Sequence, residues 1–181
     1  MIYVFLADGF EEIEALTPVD LLRRAGKEVI TVGVGSKQIT GAHGIVVTAD
    51  VRDSDVTDIP ASLEMIVLPG GMPGASNLAA SSIVNRAVEY ADKNSLYIAA
   101  ICAAPAVVLG KYGFIRGRRM TCYPGFEKLL ASARTTGEGV EEDGRLITGK
   151  GPGMAMRFAL TLVRRLCGRE TADKLKGSLQ C

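Results

Sequence analysis

Short runs of apolar residues, each ended by a turn or by a polar sequence, constrain the fold of this chain more than any other feature. A half-buried strand alternates apolar and polar side chains, whereas a run without that alternation is typical of a strand buried on both faces. Segments with helical periodicity lie between the runs, and such an alternation indicates parallel strands joined by helices. The runs are Ile2–Ala7, Met65–Leu68 and Leu96–Ile101, and Glu28–Val34 is a further β segment.

Apolar residues recur at intervals of three and four in the segments that we predict as helices. The first, Glu11–Ala25, is closed by Gly26 and contains Pro18, so a kink is expected there. The others are Ser82–Lys93, Ala103–Leu109, Phe126–Ala133, Met154–Cys167 and Glu170–Lys176, with hairpins over Gln38–Asp50 and around Asp143-Gly144. We therefore expect one α/β domain over residues 1–181, with a mostly parallel sheet covered by helices on both faces.

Composition excludes several classes of partner and location. The formal net charge is +1, from 21 basic and 20 acidic residues, which gives no electrostatic reason to expect nucleic acid or a charged membrane. The first apolar run ends at Asp8, too early for a secretory signal, and no run approaches the ~20 residues of a membrane span. A soluble, cytoplasmic protein is expected. Its four cysteines lack CxxC pairing and His43 is its single histidine, so no metal or other cofactor is expected.

Cys102 is the strongest candidate for chemistry. In a parallel sheet, ligands bind beyond the carboxyl ends of the strands, and Cys102 directly follows a predicted strand. Small residues surround it on both sides, as the sharp strand-to-helix turn of a nucleophile elbow requires. The following helix would lower the pKa of the thiol through its dipole. The alternative interpretation is a core cysteine that packs as a small hydrophobe.

Two further features accompany this cysteine. Gly70 and Gly71 end the preceding strand, so the backbone amides of Gly71 and Ala103 are candidates for binding an oxyanion, although a tight turn alone also explains the glycines. Glu14 lies in the first predicted helix, where apolar neighbours would keep its carboxyl protonated and able to shuttle a proton. Acidic residues also favour a helix N-terminus for simple electrostatic reasons, and the pattern alone favours that explanation.

Five segments taken together resemble the DJ-1/PfpI superfamily, and within it the DJ-1/ThiJ branch. They occur in order and span nearly the whole chain, which makes the combined signal strong. The segments are Asp8–Glu14, Pro18–Gly26, Val67–Gly71, Ala99–Pro105 and Thr148–Gly153. The resemblance implies a flavodoxin-like three-layer α/β/α sandwich and a homodimer.

By that resemblance, Cys102 corresponds to the reactive cysteine of the family and Glu14 to the glutamate that hydrogen-bonds it. Gly71 and Ala103 would supply the amides on the oxyanion side, with Gly70 beside them. Arg24 and Pro152 fall where the family has residues near the site and the dimer interface. The family is credited with glutathione-independent glyoxalase activity, a disputed deglycase activity, redox sensing and chaperone-like protection.

The sequence also departs from related patterns. Many members of the family have a histidine near the cysteine where this chain has Tyr123, whose hydroxyl is then a candidate donor. His43 is interpreted as an exposed turn residue. PfpI-type proteases have a histidine directly after the cysteine, where this chain has Ala103, and the His-x-Glu pair of class I glutamine amidotransferases does not occur here. Peptide hydrolysis is therefore disfavoured.

Two functions remain open at this point. The first is a cysteine-dependent glyoxalase or deglycase that acts on small reactive dicarbonyls such as methylglyoxal, with Cys102 as nucleophile and Glu14 as acid and base. The second is a non-enzymatic redox sensor or protective protein that works through oxidation of Cys102. The enzyme is the favoured interpretation. A pure interaction module has little support, because the apolar stripe of Met154–Cys167 is typical of a core helix.

Overall fold

A seven-stranded sheet forms the centre of the computed structural model, which describes residues 1–181. The strands are β1 (Ile2–Leu6), β2 (Val29–Gly33), β3 (Gln38–Thr40), β4 (Val46–Thr48), β5 (Val51–Arg52), β6 (Met65–Leu68), β7 (Tyr97–Ile101), β8 (Arg119–Met120), β9 (Arg134–Thr135), β10 (Val140–Asp143) and β11 (Leu146–Gly149). The helices are α1 (Glu12–Arg24), α2 (Gly74–Ala80), α3 (Ser82–Lys93), α4 (Ala104–Val107), α5 (Ala155–Cys167) and α6 (Arg169–Ser178).

The strand order of this sheet is β10-β11-β7-β6-β1-β2-β5. Every neighbouring pair is parallel except β10 with β11, which form the antiparallel hairpin predicted around Asp143-Gly144. The second predicted hairpin pairs β3 with β4, outside the main sheet. The mostly parallel three-layer sandwich predicted from the sequence is therefore confirmed.

Side chains of the central strands point alternately into two hydrophobic cores, one on each face of the sheet. In β1, Tyr3 and Phe5 belong to the core beneath α3, whereas Ile2, Val4 and Leu6 belong to the core beneath α1 and α5. Burying one such large apolar side chain contributes about 1.5–3 kcal/mol. This two-sided burial explains why the strand sequences show no polar alternation.

α1 continues through Pro18 without interruption. Proline has no N–H, so the backbone carbonyl of Glu14, four residues earlier, loses its usual helical donor. The helix then ends where Gly26 adopts a φ of 77°, a left-handed conformation that glycine adopts without steric penalty. α1 thus begins at the carboxyl end of the sheet and leads away from it.

Some predicted elements differ from the observed ones. α2 lies in a region where no helix was predicted, because its seven residues are too few to show a period and its burial comes from Ala75 and Leu78. The helix predicted over Ala103–Leu109 is only the single turn α4, and Phe126–Ala133 contains a 3₁₀ turn at Glu127–Leu130. No helix combines the length and the hydropathy that crossing a bilayer would require.

Candidate active site

Three chain segments converge at the carboxyl end of the parallel sheet. Gly70 and Gly71 follow β6, Cys102 follows β7, and Glu14 lies in the first turn of α1, after β1. Since β6 lies between β1 and β7 in the sheet, the ends of all three strands are adjacent. The sheet topology therefore brings together residues that are up to 88 positions apart in sequence.

Cys102 occupies a strained backbone conformation. Its φ is 64°, a left-handed value that is uncommon for a residue other than glycine. Such a conformation costs about 1–3 kcal/mol and persists only where the surroundings hold it. Two backbone bonds do so: the Cys102 N–H donates to the Gly149 carbonyl (2.8 Å), and the Tyr123 N–H donates to the Cys102 carbonyl (2.8 Å). This is the sharp strand-to-helix turn that the small residues around Cys102 predict.

The Glu14 side chain is completely buried beside this turn. Its Oε2 accepts a hydrogen bond from the Gly70 N–H (2.9 Å), whereas Oε1 has no partner of standard hydrogen-bond geometry. Desolvation raises the pKa of the carboxyl to about 7, against the lowering effect of hydrogen bonds from the Cys102 thiol and Gly70. A carboxyl of this kind exchanges its proton near neutral pH, which suits a general acid and base.

Gly70 allows the thiol and the carboxyl to approach each other. A Cβ atom at position 70 would lie 2.7 Å from the Cβ of Cys102 and 2.8 Å from Oε2 of Glu14. Both distances are shorter than any side chain tolerates, so the site is built around the missing methyl group. The glycine therefore has a role in packing the site in addition to its role in the turn.

The expected lowering of the Cys102 pKa does not occur. Burial, and then the negative charge of Glu14, raise the pKa of the thiol to about 12. Hydrogen bonds from the backbone amides of Gly71 and Ala103 act in the opposite direction. The expectation was wrong because α4 is a single turn with a small dipole, while the sulfur is mostly enclosed by apolar groups.

The thiol and the carboxyl consequently share one proton over a wide pH range. Above the pKa of Glu14 the pair carries a single negative charge, with the proton on sulfur. Transfer of that proton to Glu14 produces a thiolate without changing the total charge of the pair. In that form the Gly71 and Ala103 amides and the new carboxylic acid can all donate hydrogen bonds to sulfur.

An open cavity of about 250 Å³ gives access to the sulfur. Gly71, Ala103 and Tyr123, all predicted from the sequence, line it together with Cys102. Tyr123 is 46% exposed as a residue, and its ring packs edge-to-face on Phe126 with the ring centroids 6.5 Å apart. The remaining lining residues are Glu11, Met72, Phe126 and Pro152.

Arg24 lies away from this cavity. It is ten residues beyond Glu14 on α1, which corresponds to about 15 Å along the helix axis. Its guanidinium pairs with Asp20 (2.7 Å) and is about half exposed. The prediction that Arg24 belongs to the binding site is therefore corrected within this chain, because α1 carries it away from Cys102.

Sequence reasoning missed the environment of His43. The imidazole is exposed, as predicted, but its Nδ1 lies 2.8 Å from Oε2 of Glu12 and 3.7 Å from Oε2 of Glu11. The two carboxylates raise the pKa of His43, and the hydrogen bond from His43 helps to lower the pKa of the buried Glu12. Residues 31 positions apart gave no local signal of this pairing. Glu11 also lines the cavity, a role that its position at a helix N-terminus did not reveal.

Comparison with known protein families adds an independent line of evidence. The model of the DJ-1/PfpI family matches residues 1–165. Protein DJ-1 homolog B of Arabidopsis thaliana is 40% identical over 96% of this chain, which spans only 40% of that longer protein. The Parkinson disease protein 7 homolog of Danio rerio is 35% identical over 97% of this chain and 94% of its own length. A Caenorhabditis elegans protein named as a glutathione-independent glyoxalase is 34% identical over 91% of this chain and 87% of its own.

Solved structures agree with these sequence relationships. A DJ-1 superfamily protein from Salmonella typhimurium, crystallised as a cysteine-to-alanine mutant, superposes with a TM-score of 0.93 at 36% identity and covers 99% of this chain and 97% of its own. Toxoplasma gondii DJ-1 in an oxidized form gives the same TM-score at 34% identity, with the same two coverages. The overall fold of this chain is therefore shared with these solved structures.

Proposed function

The chain belongs to the DJ-1/PfpI family, and from that premise we propose that it is a cysteine-dependent, glutathione-independent glyoxalase or deglycase-type enzyme. Its substrates are small 2-oxoaldehydes such as methylglyoxal, which it converts to 2-hydroxy acids. The observation that carries this proposal is that Cys102 lines an open cavity, where its sulfur meets the backbone amides of Gly71 and Ala103 and hydrogen-bonds with the buried carboxyl of Glu14. The glyoxalase name of the Caenorhabditis elegans relative supports it.

The first step forms a covalent bond between the substrate and Cys102. The Cys102 thiol transfers its proton to the Glu14 carboxylate as the sulfur attacks the aldehyde carbon of the substrate. The C=O double bond becomes a single bond, and the amides of Gly71 and Ala103 are placed to donate hydrogen bonds to the resulting oxyanion. Glu14 then returns the proton to this oxygen, which gives a neutral hemithioacetal and a carboxylate again.

The second step is an internal redox reaction between the two carbonyl carbons. Glu14 removes the hydrogen of the former aldehyde carbon as a proton, and the electron pair passes to the neighbouring ketone, which becomes an enediolate. Glu14 delivers the same proton to the former ketone carbon, and the hydroxyl proton of the hemithioacetal passes to the former ketone oxygen. One carbon is thereby oxidised to a thioester and the other is reduced to an alcohol. Water then cleaves the carbon–sulfur bond and releases the 2-hydroxy acid and the thiol. Methylglyoxal and water thus give lactate, with no external oxidant.

A matched pair of variants tests this mechanism. Cys102→Ser replaces the sulfur, and Glu14→Gln removes the proton acceptor while keeping the shape of the side chain. Each variant is expected to lose lactate formation from methylglyoxal to background, whereas Cys122→Ser, at a buried cysteine outside the cavity, retains it. Full lactate formation by Cys102→Ser would eliminate the proposal.

A second candidate function uses the same sulfur. Oxidation of Cys102 by peroxide gives a sulfenic and then a sulfinic acid, to which a protonated Glu14 would donate a hydrogen bond. The structure of the related Toxoplasma gondii protein was solved in an oxidized form, which supports this second candidate. Intact and peptide mass after mild peroxide treatment tests it: Cys102 is expected to gain two oxygens before Cys122 or the exposed Cys181 does. The reverse order would exclude Cys102 as a sensor.

The homodimer implied by the family resemblance also enters as a proposal. Exposed apolar side chains are clustered at the start of α1 and on the neighbouring hairpin: Ile13, Ile45 and Val46 are each more than half exposed. The Ile45 N–H lies 3.5 Å from Oε1 of Glu12, which shows that the two elements are adjacent. Burial of this patch against a second copy would remove it from water. Sedimentation of the wild type and of Ile13→Glu tests this, with a dimer and a monomer expected respectively. The cytoplasmic location stays a prediction.

A further inference from the structure

We propose that the substrate cleft has a second compartment that binds an anionic group, and that Lys150 makes this enzyme prefer 2-oxoaldehydes that carry a carboxylate tail. The inference deepens the proposed function and rests on it. It concerns the part of the substrate that does not react, which the mechanism at Cys102 leaves unspecified.

Two cavities adjoin at the carboxyl end of the sheet. The cavity at Cys102 has a volume of about 250 Å³, and a neighbouring one has a volume of about 310 Å³. They share Tyr123 and Pro152 as common walls. The other residues of the second compartment are Pro124, Lys150, Gly151, Gly153 and Met154. A substrate held at Cys102 can therefore extend past the Tyr123 ring into this space.

The two compartments have opposite charges. Glu11 is the acidic residue that lines the first compartment, and Lys150 is the charged residue that lines the second. A carboxylate on the substrate is repelled by Glu11 and attracted by Lys150, so both charges favour the same orientation. In that orientation the tail lies in the second compartment and the aldehyde lies at the sulfur.

Lys150 is held in place by backbone contacts. It directly follows β11, next to β7 in the sheet, and its N–H donates to the Gly139 carbonyl (2.9 Å). Its ammonium group donates to the Gly137 carbonyl (3.1 Å). An ammonium has three N–H donors, so two of them remain for an anion. Gly151 and Gly153 also line the second compartment, and they have no side chains that would narrow it.

Competition between two substrates tests the inference. 4,5-Dioxopentanoate has the same reactive carbonyls as methylglyoxal and a carboxylate two methylene groups away. The wild type is expected to use it with a kcat/KM about fivefold higher than that for methylglyoxal. Lys150→Met keeps the aliphatic chain and removes the charge. It is expected to raise the KM for the dioxo acid about fivefold at unchanged kcat, because an exposed ion pair of this strength stabilises the bound substrate and the transition state equally. Its kinetics with methylglyoxal should not change.

Two control variants and one binding measurement complete the test. Lys150→Arg should keep the preference of the wild type. Lys37→Met, at an exposed lysine that directly precedes β3 and lines neither compartment, should leave the preference intact. In Cys102→Ser, the unreactive analogue 4-oxopentanoate should perturb the NMR signals of Gly151 and Gly153, and Lys150→Met in that background should abolish the perturbation.

The outcomes separate this inference from the proposed function. Equal kcat/KM values for the two substrates in the wild type, or a loss in Lys150→Met that is the same for both, would overturn the role of Lys150 and leave the glyoxalase intact. Absence of Cys102-dependent turnover of either substrate would instead refute the proposed function. If 4-oxopentanoate perturbed the signals of Gly151 and Gly153 equally with and without Lys150→Met, the proposed anion-binding compartment would be overturned directly.

Discussion

Replacement of Gly70 by alanine is the sharpest steric test of the site. The added methyl group would lie 2.7 Å from the Cβ of Cys102, 2.8 Å from Oε2 of Glu14 and 2.9 Å from the Ile101 carbonyl oxygen. Ordinary contacts of a Cβ atom begin near 3.4 Å, so the Cβ of Cys102 and the carboxyl of Glu14 must each move away from the added methyl group by more than half an ångström. Displacements of this order reduce catalysis by about 10²-fold, and overpacking lowers the free energy of unfolding by about 1–3 kcal/mol.

The assay measures lactate formation from methylglyoxal alongside urea unfolding. Gly113→Ala is the matched control, because a Cβ at position 113 meets no atom within 4 Å and the residue has no positive φ. We expect Gly70→Ala to lose about 10²-fold in kcat/KM while remaining folded, and Gly113→Ala to match the wild type in both measurements. Wild-type activity in Gly70→Ala would show that the close approach of Cys102 and Glu14 is unnecessary, and would refute this reasoning.

Three further predictions follow from the ionisable groups. The kcat/KM for methylglyoxal should rise with pH through about 7 and then level off, because Glu14 must be ionised to accept the thiol proton; a profile that falls over this range would contradict that role. At pH 8, Glu14→Gln should have a free energy of unfolding about 3 kcal/mol higher than that of the wild type. Burial raises the pKa of the Glu14 carboxyl from 4.5 to about 7, so the wild type loses stability as pH rises between those values, whereas the uncharged amide does not. Equal stability of the two proteins at pH 8 would contradict the raised pKa. His43→Gln should lower the free energy of unfolding at about pH 5.5, where His43 is charged. The difference between variant and wild type should vanish as pH rises through the raised pKa of His43. A difference that persists at pH 9 would exclude the ion pair with Glu12 as its cause.

Most of the fold was predictable from the sequence because the apolar pattern of each long element already indicates which of its faces are buried. Residues Met65–Leu68 are apolar without exception, and they form β6 with the predicted bounds. The helix α3 likewise has the predicted bounds, since its apolar residues follow one face over three turns. Elements with few residues were less predictable: α2 owes its helical form to docking of Ala75 and Leu78 on the core, which a local pattern does not record.

The chemistry of the site was predictable only in part. The strand-to-turn context of Cys102 identified the thiol, and the resemblance supplied Glu14. The electrostatics depended on tertiary burial: the thiol pKa is raised by desolvation and by Glu14, where a helix dipole had suggested lowering. Gly70 was predicted as a turn residue or as part of the oxyanion side of the site, but its N–H donates to Glu14. Its packing role was missed because the two side chains it accommodates are 32 and 56 positions away in sequence.

The pKa of the Cys102 thiol tests the coupling between sulfur and carboxyl most directly. It is measured from thiolate absorbance as a function of pH in the wild type and in Glu14→Gln. The coupling predicts that the wild-type thiol titrates near 12 and that Glu14→Gln titrates at a clearly lower pH, because the negative charge beside the sulfur is gone, yet produces no lactate. An unchanged or higher thiol pKa in Glu14→Gln would show that the carboxyl and the sulfur do not share a proton, and the mechanism built on their exchange would be wrong.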